Sequence, residues 1–119
     1  MSAQSTGRLT FLGSGTSQGV PVITCLCPTC QSHNPKDQRL RASVLVELPG
    51  LVLGIDAGPD FRAQMLREKV QHLDAILLTH EHKDHIAGLD DIRAFNYKRQ
   101  DHFPVYCTPK VEQALKREF

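Results

Sequence analysis

The sequence predicts an α+β fold, and three observations carry the prediction. Two apolar, β-branched runs, Ala42 to Leu48 and Leu51 to Ile55, are joined by Pro49-Gly50, which is a hairpin signal. Shorter apolar runs at Leu9 to Leu12, Ala75 to Leu78 and Pro104 to Cys107 read as further strands. Between and after these, apolar residues recur at helical spacing. The composition agrees with one soluble globular domain: the chain has 119 residues, 40% hydrophobic and 23% charged, and a domain of this length buries roughly 65% of its unfolded surface. Two domains are excluded, and residues 1–119 are read as a single unit. The formal charge is +1, so no charge-driven partner is implied, and long nucleic acid is disfavoured because each phosphate contact needs a cation.

Taken in order, the start of the chain (MSAQSTG) is polar and lacks the basic and apolar stretches of a secretory signal, so a cytoplasmic, reducing compartment is expected. No apolar run approaches the ~20 residues that a bilayer requires, so no membrane partner is expected. Leu9 to Leu12 runs into a glycine-rich loop, Gly13 to Gly19. This loop reads GxGxxxG, lacks the Lys-Ser/Thr of a phosphate-binding loop and leads into Val20-Pro21, so it is not a nucleotide fingerprint. Its glycines point to positive φ or to close approach by another segment. Thr24 to Asp37 is polar and rich in turn formers, and its order must come from something other than a core.

The hairpin ends in Asp56-Ala57-Gly58, and a helix is expected from Pro59 and Asp60, with Phe61, Met65, Leu66 and Val70 on its apolar face. Ala75 to Leu78 delivers the chain into Thr79-His80-Glu81-His82-Lys83-Asp84-His85. A second helix is expected over Gly88 to Tyr97, with Leu89, Ile92 and Phe95 or Asn96 inward. Asp90 and Asp91 at its start suit the helix dipole. Thr108-Pro109 reads as an N-cap with proline at the first helical position, opening a last helix with Val111, Ala114, Leu115 and Phe119 on one side.

Three imidazoles and a carboxylate within six residues, His80, His82, Asp84 and His85, form the densest chemical signal in the chain. A lone histidine is more often a surface or hydrogen-bonded structural residue, the reading given to His33, His72 and His102. Four donors at the end of a strand suit zinc, and also manganese or iron. In a turning segment His80 and His82 can share one cation while Asp84 and His85 reach a second position. A solvated polar turn is the alternative.

Thr79 to Leu89 (THEHKDHIAGL) resembles the THxHxDHxxG(L) signature of the metallo-β-lactamase-fold hydrolases. The resemblance extends to Phe11 to Pro21, to Cys25-x-Cys27-x-x-Cys30 and to Ile55-Asp56-Ala57-Gly58, and covers about residues 9 to 97. It is nearest the branch of phosphonate-pathway cyclic phosphodiesterases and, further off, tRNA 3′-processing endonucleases. The resemblance implies a mixed sheet with helices on one face, the N-terminal half of an αββα sandwich. It implies one metal on His80 and His82, a second on Asp84 and His85, and a supporting place for Asp56 beneath them. A plain turn residue is the other reading of Asp56.

Three thiols in CxCxxC (Cys25, Cys27, Cys30) can share a zinc, which would order the loop through coordination. A closed site needs a fourth ligand; the resemblance places a histidine far downstream, and locally only His33 offers itself. A reduced, metal-free set is the alternative. The family's later ligands, a histidine, a bridging aspartate and a final histidine, are expected beyond Phe119, so the chain is read as the N-terminal half of a longer hydrolase, with low metal occupancy and weak activity on its own. His102 is a weak stand-in for them.

The leading functional expectation is hydrolysis of a small or cyclic phosphodiester by metal-bound hydroxide, with Zn2+ or Mn2+ at the histidine site and Asp84 helping to orient the nucleophile. Arg39, Arg41 and Lys83 are the basic residues near the motifs, each otherwise a solvated surface charge. An RNA-processing nuclease and a non-catalytic zinc carrier are the other readings. An uncovered apolar sheet face is expected to make the chain self-associate or depend on its missing half.

Overall fold

The computed structural model describes residues 6–99 and 102–119. Five strands form one sheet in the order β1-β2-β3-β4-β5: Arg8–Gly13, Ser43–Leu48, Leu51–Ile55, Ala75–Leu77 and Val105–Tyr106. β1, β2 and β3 are antiparallel neighbours, with Leu48 opposite Leu51 across the Pro49-Gly50 turn and Gly50 at φ +76°. β4 joins β3 in parallel and β5 joins β4 in parallel. The sheet is therefore mixed. The C-terminal ends of β1, β3, β4 and β5 consequently lie along one edge.

Between β3 and β4 runs α1 (Phe61–Arg67), and after β4 come α2 (Lys83–Ile86), a 3-10 turn (Leu89–Ile92) and α3 (Arg93–Arg99); α4 (Pro109–Glu118) closes the described chain. Thr108 caps α4 by accepting from the Val111 amide at 3.4 Å, and Pro109 occupies the first helical position, as expected from sequence. Leu12, Leu45, Ile76 and Leu78 on the sheet side bury against Phe61 and Met65 of α1, Ile86 of α2, Ile92, Phe95 of α3 and Val111 of α4. Phe61 and Phe95 meet edge to face at 6.4 Å.

The opposite face of the sheet carries a paired row, Phe11–Val44–Ile55–Leu77–Tyr106, in which Phe11 is 71% and Tyr106 59% exposed. The molecule is correspondingly flat, 24 Å along its shortest axis, the thickness of one sheet plus one helix layer.

Several expectations are corrected. The helix expected over Gly88 to Tyr97 opens as the 3-10 turn and becomes α-helical only at Arg93, and a separate short helix, α2, which was not expected, precedes it at Lys83. Gly88, between α2 and the 3-10 turn, is tightly packed: a β-carbon there would lie 2.0 Å from the Gly58 carbonyl oxygen, and its amide is held by the Ala57 carbonyl at 2.8 Å. Leu66, assigned to the core face of α1, is 59% exposed, and Gln64 is buried in its stead. Gln64 goes inward because its side chain donates to the Arg41 carbonyl at 3.0 Å. Phe119 is 63% exposed, at the end of α4 beyond its buried Val111 and Ala114. The Pro104 to Cys107 strand pairs only at Val105 and Tyr106.

The glycine-rich loop needs its glycines for close approach. A β-carbon at Gly13 would lie 2.0 Å from the Arg41 carbonyl oxygen, and Gly19 has φ +70°. Arg39 and Arg41 clamp this loop: the Arg39 guanidinium donates to Ser14 Oγ at 3.0 Å, and Arg41 donates to the Ser17 carbonyl at 2.7 Å and pairs with Asp60 at 3.0 Å. Neither is a free surface cation.

Candidate metal centre

The β3 and β4 ends build the site together. The Asp56 amide donates to the Leu77 carbonyl at 2.8 Å, which continues the parallel ladder one residue past β3. There the chain turns with Asp56 at φ +64°, a left-handed conformation that aspartate tolerates better than most residues. Ser43 Oγ lies 2.9 and 3.1 Å from the Ile55 and Asp56 carbonyl oxygens, sharing its one proton between them, and steadies this turn. The Ala57 amide then donates to the His85 carbonyl at 2.8 Å, joining the turn to α2 by backbone.

Asp56 is 5% exposed, and a carboxylate so buried requires partners. It has three: the Thr79 amide donates to Oδ1 at 2.8 Å, and the Thr79 hydroxyl and His85 Nδ1 donate to Oδ2 at 2.7 and 2.6 Å. With its Nδ1 proton directed at Asp56, His85 turns Nε2 toward Asp84 Oδ2, 3.0 Å away. A neutral ring presents a lone pair there, so two acceptors face each other, an arrangement that a proton or cation between them satisfies.

Ligand atoms of Asp56, His80 and His85 lie within 4.8 Å of one another. The His80 ring centroid is 4.0 Å from that of His85 and 4.6 Å from that of His82. His82 is exposed, and it lies outside the group of three. Of the four donors predicted in the motif, His80 and His85 converge with Asp56, whereas His82 stands beside His80 and Asp84 beside His85, both outside that group. Imidazole nitrogens with carboxylate oxygens form a donor set that suits a divalent ion.

The intervening residues of the motif reach away from this centre. Lys83 Nζ lies 2.6 Å from Glu118 and Lys110 Nζ 3.4 Å from Glu81, so both ends of α4 are tied to the histidine segment. Lys83 holds the Glu118 carboxyl below its ordinary range. Glu81 is also lowered, first by its own backbone amide and then by Lys110.

The sulfurs of Cys25, Cys27 and Cys30 also fall within 4.8 Å of one another. The Cys30 amide donates to Cys27 Sγ, and the Val22 amide to Cys30 Sγ, each at 3.4 Å. The first of these bonds holds the Cys27 thiol below its ordinary range. At Cys30 the Val22 amide acts in the same sense, but the neighbouring Cys25 and Cys27 thiols and partial burial outweigh it and push this thiol up. Amide-to-sulfur bonds around three convergent thiols fit a zinc knuckle. His33 is exposed and outside the trio, and His102 is exposed and outside the histidine group.

A groove of about 540 Å3 between α1 and α3, lined by Phe61, Met65, Leu66, Val70, Ala94 and Phe95, shares no residue with either cluster. Sequence reasoning singled out no role for Thr79, Ser43 or Gln64. A hydroxyl directly before the first histidine was the available signal for Thr79; nothing local marks Ser43 or Gln64. Among the described residues no helix is long and apolar enough to cross a membrane.

A family model described as "Beta-lactamase superfamily domain" matches residues 53–119. The chain is 44% identical over 110 residues to an octanoyltransferase of Porphyromonas gingivalis, covering 92% of this chain and 22% of that protein. It is 35% identical over 100 residues to coenzyme PQQ synthesis protein B of Methylobacterium radiotolerans, covering 72% of this chain and 33% of that one. Among solved structures, a diphosphatase from the PhnP family superimposes with a TM-score of 0.91 at 49% identity, over 95% of this chain and 46% of the other. Zn2+-bound PqqB from Methylobacterium extorquens superimposes with a TM-score of 0.78 at 27% identity, over 94% of this chain and 43% of the other. The short form of human tRNase Z, at a TM-score of 0.64 and 20% identity over 95% of this chain and 39% of the other, shares the fold. The chain therefore spans between 22% and 46% of the length of these relatives.

Proposed function

We propose, from the premise that this chain belongs to the beta-lactamase superfamily domain family, that it is the N-terminal half of a metal-dependent hydrolase acting on a small phosphodiester or diphosphate. The observation that carries this reading is the His85 ring held between Asp56 and Asp84, at 2.6 and 3.0 Å, with His80 alongside. The diphosphatase neighbour, at 49% identity, supports the phosphate-ester substrate class.

His80, His82, Asp84 and His85 would hold the ions, Zn2+ or Mn2+, with Asp84 the residue that touches the reacting water. A divalent ion held there would lower the pKa of a coordinated water toward neutrality and offset charge on the phosphoryl oxygens. Asp56 fixes the direction of His85, and the backbone bonds from Ala57 and Gly88 fix α2. Cys25, Cys27 and Cys30 would hold a structural zinc. The open row from Phe11 to Tyr106 is where the second half of the protein, or a second copy, would pack. The protein works in the cytoplasm and needs no membrane.

The test, made on a full-length protein that carries this half, is metal stoichiometry beside hydrolysis of bis(p-nitrophenyl) phosphate and of a diphosphate diester, with added Zn2+ or Mn2+; the 119-residue chain alone should bind metal weakly and turn over poorly. Turnover that disappears in His82→Ala and Asp84→Asn supports the reading. A fully metallated protein without turnover on either substrate favours a second reading, a zinc-binding carrier or biosynthetic module, which the 35% identity to coenzyme PQQ synthesis protein B supports. Cleavage of precursor tRNA in preference to both small substrates would favour the nuclease reading.

A further inference from the structure

We infer that Thr79 is a positioning residue that sets the tautomer of His80, so that this ring offers Nε2 to the cation. The inference rests on the metal-centre reading above and deepens it. Thr79 Oγ1 lies 2.7 Å from Asp56 Oδ2 and 2.9 Å from His80 Nδ1. A hydroxyl has one proton, and an ionised carboxylate can only accept, so that proton is directed at Asp56. Toward His80 the oxygen can then present only a lone pair. Nδ1 of His80 must carry hydrogen, and in the neutral ring the lone pair sits on Nε2.

The same Asp56 oxygen receives the Nδ1 proton of His85 at 2.6 Å. One buried carboxylate therefore dictates the tautomer of two rings, His85 directly and His80 through a hydroxyl. Thr79 is well placed to relay this, because its amide is separately anchored on Asp56 Oδ1 at 2.8 Å. That anchor does not need the hydroxyl. An imidazole free in water favours the opposite, Nε2-protonated form, so the hydroxyl works against the ring's own preference.

The anchor makes a clean substitution available. Thr79→Val keeps the shape and the amide bond but removes the hydroxyl; Thr79→Ser restores it. The experiment is two-bond 15N–1H correlation of the histidine rings in metal-free protein, well above the ordinary histidine pKa of about 6.5, together with Co2+ titration. The expected result is Nδ1–H at both His80 and His85 in wild type. In Thr79→Val, His80 changes to Nε2–H while His85 does not, and Co2+ affinity falls about tenfold, the low end for loss of a ligand's outer partner. Thr79→Ser returns both readouts. The unchanged His85 signal verifies that the variant is folded. A wild-type His80 protonated on Nε2, or a His80 ring in Thr79→Val that does not change, overturns the inference and leaves the metal reading standing. A ring that changes as expected in a protein that binds no Co2+ overturns the metal reading instead.

Discussion

Gly58 and Asp84 are in direct backbone contact: a β-carbon on Gly58 would lie 2.0 Å from the Asp84 carbonyl oxygen. No side-chain rotation relieves such a clash, because the β-carbon is fixed by the Gly58 backbone and its partner is main chain. Gly58→Ala should therefore cost about 3 kcal/mol of stability, the upper end for overpacking a tight site, and should move Asp84 and His85 together. Denaturant unfolding checks the first expectation and Co2+ titration the second. A Gly58→Ala protein with wild-type stability would mean that α2 does not seat on the Asp56 turn as described.

At the end of α1, Lys69 adopts φ +53° in the position where helices commonly terminate on glycine, and its amide and that of Val70 close the last turn onto Leu66 and Met65. The lysine side chain is exposed. Lys69→Gly should relieve the left-handed strain and raise stability by about 0.5–1 kcal/mol, less what glycine returns to the unfolded chain. A thermal or urea midpoint that falls would contradict this assignment.

Acid should loosen the link between α4 and the histidine segment. Lys83 lowers the Glu118 carboxyl from 4.5, so the pair contributes above that value and its contribution is lost as pH falls through the lowered one. The pair is exposed and salt-screened, so the effect is small. The difference in unfolding midpoint between wild type and Glu118→Gln, followed from pH 6 down to pH 3 in low salt, should shrink below about pH 4.5. A difference that grows on acidification would reverse the sign argued here.

Within the cysteine trio the Cys27 thiol is lowered by the Cys30 amide while Cys30 is raised. In metal-free, reduced protein near neutral pH, iodoacetamide should label Cys27 ahead of Cys30, since the thiolate is the nucleophile. Zn2+ should protect both. Peptide mapping after brief labelling reads the order, and Cys30 leading would show that the amide bond to Cys27 is absent in solution.

The parts of this fold that were legible in the sequence are those set by local rules. The Pro49-Gly50 hairpin, the Thr108-Pro109 cap and the strand that feeds His80 all follow from neighbours a few positions apart. Where the sequence misled, distant chain had intervened. The sequence pattern begins a helix at Gly88, yet Gly88 packs against the Gly58 carbonyl, thirty positions earlier, and the chain enters its helix only after a 3-10 turn. Leu66 has the pattern of a core residue, but the Arg41 carbonyl draws Gln64 inward instead. The histidine motif advertised a cation centre by donor density alone. That Asp56 grips both Thr79 and His85 depends on the pairing of β3 with β4, which no window of adjacent residues encodes.

That pairing has a consequence for how such proteins can change. Leu53 opposite Ala75, Gly54 opposite Ile76 and Ile55 opposite Leu77 form a three-rung ruler, and the distance from carboxylate to imidazole is read off its end. Between α1 and β4, Leu73 is buried and Asp74 is bonded to Val52 of β3, so only the stretch before Leu73 can lengthen cheaply and leave the ruler intact. Adding or deleting one residue between Leu77 and His80 would misalign every donor at once, whatever the quality of the core beneath.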